Sequence, residues 1–160
     1  AHAGARALGD RSSDPRHVRL VTEGALLDQP EQMRNILLRL RAAGVLVQLD
    51  DFGTGYSSLS YLKRFPLDCL KIDRSFVEGL PDDNDSAAIA ETIVAMARKL
   101  GLVVVAEGVE TSEQSRFLRA CGCKLVQGFF FSKPLPPAQL AAFVTNAVST
   151  EGAFLLPEGH

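Results

Sequence analysis

The sequence predicts an α/β protein built on a parallel sheet. Three observations carry this. Short runs rich in Val, Leu and Ile alternate with longer amphipathic stretches along the whole chain. Five such strand-then-helix units follow one another, and Gly or Pro marks most of the junctions. Consecutive β-then-α units imply parallel strands joined by right-handed crossovers. Two architectures satisfy that order: a doubly wound open sheet, or part of a (β/α)8 barrel. A full barrel typically takes about 250 residues, and this chain has 160.

The elements follow in order. Val18 to Thr22 reads as a short strand. Asp28-Gln-Pro-Glu31 is an Asp-x-x-Glu variant of the capping box with an early Pro, which opens a helix. Met33, Ile36, Leu37 and Leu40 give that helix an apolar stripe at spacings of three and four, and Gly44 stops it. Val45 to Leu49 is the second strand. Asp51 to Tyr56 holds two glycines and is a loop. Ser57 or Ser58 caps a short helix through Tyr61 and Leu62, ended by Pro66. Asp68 to Ile72 is the third strand. Asp83-Asn84-Asp85 precedes a helix from about Ser86 to Leu100, with Ile89, Ile93, Met96 and Leu100 on one face and Gly101 as its stop. Leu102 to Ala106 is a continuous apolar run, which predicts a strand covered on both faces. Thr111-Ser-Glu-Gln114 is a second capping box, for a helix to about Cys121 that Gly122 ends. Lys124 to Gln127 is the fifth strand. Pro136 and Pro137 begin a last helix through about Val148. No internal repeat or low-complexity segment occurs.

Composition narrows the function classes. Apolar residues make up 46% and charged residues 22% of the chain, ordinary for a globular protein with a real core. The net charge is −2, which lends no support to a nucleic-acid polymer or a polybasic membrane patch as partner. No apolar run approaches the roughly 18 residues of a membrane span, so no membrane insertion is expected. Ala1 to Arg16 lacks the apolar stretch of a signal peptide, and a cytoplasmic location is the expectation. Three cysteines, Cys69, Cys121 and Cys123, are an odd number and argue against a disulfide framework. Cys121-Gly-Cys123 reads as a helix end and a strand start. His2, His17 and His160 lie at or near the chain ends, so a zinc site lacks its further N or S donors.

Polar residues collect at the ends of the strands. The second strand ends on Asp50 and Asp51. The third ends on Lys71 and Asp73, the fourth on Glu107 with Glu110 after it, and the fifth on Gln127. In parallel α/β folds these ends share one face, where active sites are built. Clustered carboxylates stay ionised together only beside a cation, and hard oxygen donors suit Mg²⁺ or Mn²⁺. Two such metals with a lysine are a recurring arrangement for phosphodiester hydrolysis. The competing reading is plain: an Asp at a strand end commonly caps a helix, and Gln127 alone is uninformative. Asp50-Asp51 stands above that background because Phe52-Gly53-Thr54-Gly55 supplies a glycine-rich loop. Lys71 does too, because burying an ammonium is costly unless it is paired. Spacing by itself leaves a metal site and solvated rim polarity both open.

The motifs are specific enough to resemble one family. Asp50-Asp51-Phe52-Gly53-Thr54-Gly55-Tyr56-Ser57-Ser58 resembles the signature loop of EAL domains. Lys71-Ile72-Asp73 with Phe76 resembles the KID motif of that family. Val105-Ala106-Glu107-Gly108-Val109-Glu110 resembles its AEGVE motif. Val126-Gln127-Gly128-Phe129 with Ser132-Lys133-Pro134-Leu135 resembles its closing segment. The resemblance implies a (β/α)8 barrel that binds cyclic di-GMP and cleaves it to pGpG with two Mg²⁺ or Mn²⁺ ions. It implies metal ligation by Asp50, Asp51 and Glu107. Lys71 would contact the catalytic water or phosphate, and Glu107 would be a ligand or general base. Gln127 and Asp73 would support the site or the substrate. Glu23 would match the second glutamate of the E-x-T-E motif, which steadies the Asp-Asp-Phe-Gly loop. The same likeness implies a homodimer through the Asp51–Ser58 loop.

Two departures qualify it. The Glu-Ala-Leu tripeptide and the N-terminal Asn ligand motif do not occur in this sequence. In Val18-Arg-Leu20-Val-Thr22-Glu23, Leu20 stands where the metal-binding glutamate belongs, and leucine offers no oxygen. The expectation is an incomplete TIM-type barrel of about five βα units, with open sheet edges. Residues 17–148 would be the C-terminal part of an EAL domain, 1–16 a disordered or non-family segment, and 149–160 a loose tail. Such a chain is expected to be a truncated phosphodiesterase with weak or no activity alone. The alternative is a degenerate, non-catalytic module that binds cyclic di-GMP or a protein.

Overall fold

Val18–Thr22 forms β1, the first element of a computed structural model that describes residues 18–53 and 59–149. It leads into α1 (Glu23–Asp28), α2 (Pro30–Ala42), β2 (Leu46–Phe52) and α3 (Leu59–Arg64). Then come β3 (Cys69–Ile72), a 3-10 turn at Arg74–Phe76, α4 (Asn84–Leu100) and β4 (Val103–Ala106). The chain closes through α5 (Ser112–Cys121), β5 (Leu125–Val126) and α6 (Pro137–Ser149). The sheet has five strands in the order β1-β2-β3-β4-β5. Pairing is parallel between β1 and β2, β2 and β3, and β4 and β5. A doubly wound sheet reverses its strand order at a switch point. Here spatial order equals sequence order, as in a barrel wall, so topology separates the two architectures that the sequence left open.

The chain divides into two compact units, one running to Asp73 and including Met96–Val104, the other formed by Arg74–Ala95 and Val105 onward. In the first unit, β1 and β2 pair in register from Val18 with Leu46 to Thr22 with Asp50. Alternate residues Val21, Val47, Leu49, Leu70 and Ile72 are buried. Leu26 of α1 and Leu37 of α2 are buried as well, at 2% and 1% exposure. Burying each such leucine stabilises the fold by roughly 2 kcal/mol. The facing positions Val18, Leu20 and Thr22 are exposed. Asp68 joins three segments: its Oδ2 accepts from Val47 N at 3.0 Å, its Oδ1 pairs with Arg41 at 3.1 Å, and its carbonyl accepts from Val103 N at 3.0 Å.

The second unit packs Val77, Leu80, Ala90, Ile93, Val94, Val109 and Leu118 out of water. Its α5 begins with the expected capping box. Thr111 Oγ1 accepts from Gln114 N at 3.2 Å, and Gln114 Oε1 accepts from Thr111 N at 3.1 Å. Gly122 ends the helix at φ 95°, the left-handed conformation that a Cβ disfavours.

Three local expectations are corrected. The stretch Glu23–Asp28 is helical, so Asp28 ends a helix and Gln29 caps the next one without a side-chain bond. Six residues make fewer than two turns, too few to show a period. Asp50 and Asp51 lie within β2 and do not follow it. Val103 and Val105 of β4 are only half-covered, so that strand is buried on one face and not on both. The expected loose ends (1–16, and 149–160 beyond Ser149) lie outside the described residues, as does the 54–58 part of the glycine-rich loop with the proposed Ser57 or Ser58 cap.

Candidate functional site

In the first unit the site residues are set by strand register. Leu49 pairs with Leu70 and Phe52 with Ile72, so β2 spends three steps where β3 spends two. That extra residue is a β-bulge. Leu49 and Phe52 are buried while Asp50 and Asp51 between them are not. The bulge therefore keeps two successive carboxylates off the buried face, where strict alternation would hide one of them. Asp51 takes φ 55°, a left-handed conformation that Asp tolerates better than most residues.

Lys71 lies on β3, buried at 8% exposure. Its Nζ stands 3.2 Å from Asp50 Oδ1. The same oxygen is enclosed and makes no hydrogen bond. The contact is thus an ion pair whose angle falls outside hydrogen-bond geometry. Side-chain exposures of 11% and 17% place the pair mostly out of solvent, where charges need each other. Glu23 is the first residue of α1 and adjoins Thr22, the register partner of Asp50. Asp73 directly follows β3 and is half-buried.

In the second unit Glu107 follows β4 and Gln127 follows β5. Both line one cavity of about 540 Å³, together with Arg74, Phe129, Lys133 and Phe143. The strand ends are tied by Gln127 N donating to Ala106 O at 2.8 Å and Val109 N donating to Gln127 O at 3.1 Å. Gly128 is required there: a Cβ on it would fall 2.1 Å from the Val109 carbonyl oxygen. The structure thus brings Asp50 to Lys71 and Glu107 to Gln127. Reading by strand ends missed Arg74, Phe129, Lys133 and Phe143 as cavity walls. A strand-end rule has no signal for residues supplied by turns and a helix.

The donor chemistry suits a divalent cation only in part. The enclosed oxygen of Asp50 is an atom that a hard cation would satisfy. Ligand number falls short: among the described residues no group of three or more His, Cys, Asp or Glu side chains is placed to hold a metal. None of Cys69, Cys121 and Cys123 is in a disulfide. Burial pushes the Cys123 thiol up to about 11, and Cys123 Sγ donates to Leu125 O at 3.2 Å, a structural role. No helix of the described residues is long and apolar enough to cross a membrane.

Comparison with known proteins gives one consistent answer. The EAL domain family matches residues 5–134. The cyclic di-GMP phosphodiesterase NbdA of Pseudomonas aeruginosa is 56% identical over 124 residues, covering 78% of this chain and 16% of that protein. The bifunctional diguanylate cyclase/cyclic di-GMP phosphodiesterase MucR of the same organism is 49% identical over 150 residues, covering 90% and 22%. The chain therefore spans less than a quarter of the length of these relatives. Among solved structures, the EAL domain of Mycobacterium smegmatis DcpA superposes with a TM-score of 0.77 at 41% identity, covering 82% of this chain and 60% of that one. The PaMucR phosphodiesterase–c-di-GMP complex gives 0.72 at 50% identity, covering 77% and 50%. The manganese/cyclic di-GMP complex of Klebsiella pneumoniae BlrP1 gives 0.68 at 42% identity, covering 73% and 30%. With its motifs, its strand order and these likenesses in agreement, the chain belongs to the EAL domain family.

Proposed function

We propose that this chain is an EAL-type domain acting on cyclic di-GMP, in which metal-dependent cleavage to pGpG is weak because of its own donor set. The observation that carries this reading is Leu20. The β1–β2 register pairs Leu20 with Gln48 and Thr22 with Asp50. Side chains two apart share a face, so Leu20 stands on the face of Asp50. It is 53% exposed there, a hydrocarbon where the resemblance implies a metal-binding glutamate. Asp50, Asp51 and Glu107 remain as oxygen donors for Mg²⁺ or Mn²⁺. Lys71 supplies positive charge for a phosphate, and Gln127 supplies a donor and an acceptor for substrate. Glu23 and Asp73 support the strand ends. The names of the relatives and the nucleotide complexes among the solved structures support the substrate. Self-association through the Asp51–Ser58 loop and a cytoplasmic setting belong to the same reading.

A second reading is a module that binds cyclic di-GMP without cleaving it. The cavity beside Glu107 and Gln127 favours it, because none of its walls involves Leu20. Both readings meet in one assay: hydrolysis of cyclic di-GMP by the purified chain in Mn²⁺, beside Leu20→Glu and Glu107→Ala. The expected result is slow turnover, raised more than about tenfold by Leu20→Glu, since even indirect supports of a metal site are worth that much. Glu107→Ala abolishes it. Full turnover in the parent chain, unchanged by Leu20→Glu, rejects the weak-enzyme reading. Binding with no hydrolysis in the parent or in Leu20→Glu selects the second.

A further inference from the structure

We infer that Arg74 is a positioning residue: it clamps the Glu107–Glu110 segment and thereby fixes one wall of the cavity. The inference rests on the reading above for the role of Glu107, but its geometry stands without it. Arg74 begins the turn after β3. Its Nη2 stands 2.9 Å from Glu110 Oε1, and its Nε 3.9 Å from Glu78 Oε2. Its stem occupies the space that a side chain at 108 would fill. A Cβ on Gly108 would lie 2.4 Å from Arg74 Cγ and 2.9 Å from Arg74 Cβ. Those atoms are near the main chain and have little freedom to move aside. Gly108 also takes φ 75°. So the glycine serves two needs at once: it makes the turn, and it lets the Arg74 stem lie against the segment.

Gln114 holds the same segment from the other end. It is buried at 5% exposure. Its Oε1 accepts from Glu110 N at 2.7 Å, and its Nε2 donates to Glu78 O at 3.3 Å. Glu110 is thus gripped through its carboxylate by Arg74 and through its amide by Gln114. Glu107 lies three residues upstream on the same non-helical stretch, and Arg74, Glu107 and Glu110 all line the cavity. A guanidinium holds such a carboxylate in a fixed geometry that an ammonium reproduces only as a point charge.

The test uses the full chain with Arg74→Met and Arg74→Lys. Amide hydrogen exchange is followed over 107–111 and over α4, and cyclic di-GMP is titrated with Ca²⁺ present. Arg74→Met is expected to speed exchange at 108–111 about fivefold, the scale of one partly exposed charged pair, with α4 unchanged. It is expected to weaken the nucleotide by a similar factor. Arg74→Lys, which keeps the stem and the charge, recovers part of both. Unchanged exchange in Arg74→Met overturns the clamp. Faster exchange with unchanged affinity in a nucleotide-binding chain overturns the positioning of the wall. Faster exchange in a chain that binds no nucleotide upholds the clamp and removes the cyclic di-GMP reading instead.

Discussion

The two units hold their polar residues by different means. In the first, Asp50 and Lys71 are mounted on strands and largely buried, so each is held by the charge of the other. In the second, Glu107 and Gln127 sit just past strand ends, half-buried and exposed respectively. There the backbone sets the geometry: two main-chain bonds tie the strand ends, Gly128 lets Val109 approach, and Arg74 with Gln114 grips the turn. A buried charge on a strand must be compensated by another charge. A charge on a loop is already hydrated and needs only to be aimed.

This contrast breaks if the strand-mounted pair proves cheap to disrupt. Asp50→Ala should destabilise the chain by about 3 kcal/mol, because it takes a countercharge at 3.2 Å away from a mostly buried ammonium. Urea unfolding measures it. A companion Asp50→Leu, Lys71→Met double variant should recover most of the loss, since removing both charges removes the desolvation cost as well. A loss in Asp50→Ala no larger than that of a surface pair would erase the distinction.

The second unit should instead fail through its backbone. Gly128→Ala forces Val109 aside and should cost about 2 kcal/mol, the scale of overpacking. It should also lower the protection of Phe130 N, which donates to Val109 O at 3.0 Å. Thr111→Ala removes one half of the capping box of α5 and should cost about 1 kcal/mol. Loss confined to α5 in hydrogen exchange would show that the cap acts locally.

A further effect is confined to alkaline pH. Burial raises the Cys123 thiol from its ordinary 9.0 to about 11. Folding therefore favours the protonated thiol. That stability is fully present below pH 9 and is lost as pH rises through 11, because the unfolded chain ionises first. Cys123→Ala should flatten the fall in stability over that window, whereas alkylation of native Cys123 at pH 8 should be negligible.

Local sequence accounts for the alternation of strands and helices, the Thr111–Gln114 cap, the stops at Gly44, Gly101 and Gly122, and the identity of the motif residues. Each of these is local chemistry: a period, a cap or a φ that glycine adopts most readily. The brief α1 escaped because burial of Leu26, and no visible period, holds it. The half-covered Val103 and Val105 escaped because an apolar run does not tell which face is covered. Tertiary structure alone decided the strand order, the bulge that frees Asp51 from alternation, the pairing of Asp50 with Lys71, and the seat of Arg74 on Gly108. These are contacts between residues far apart in the chain. They depend on which strand lies beside which and in what register, and no local pattern encodes that.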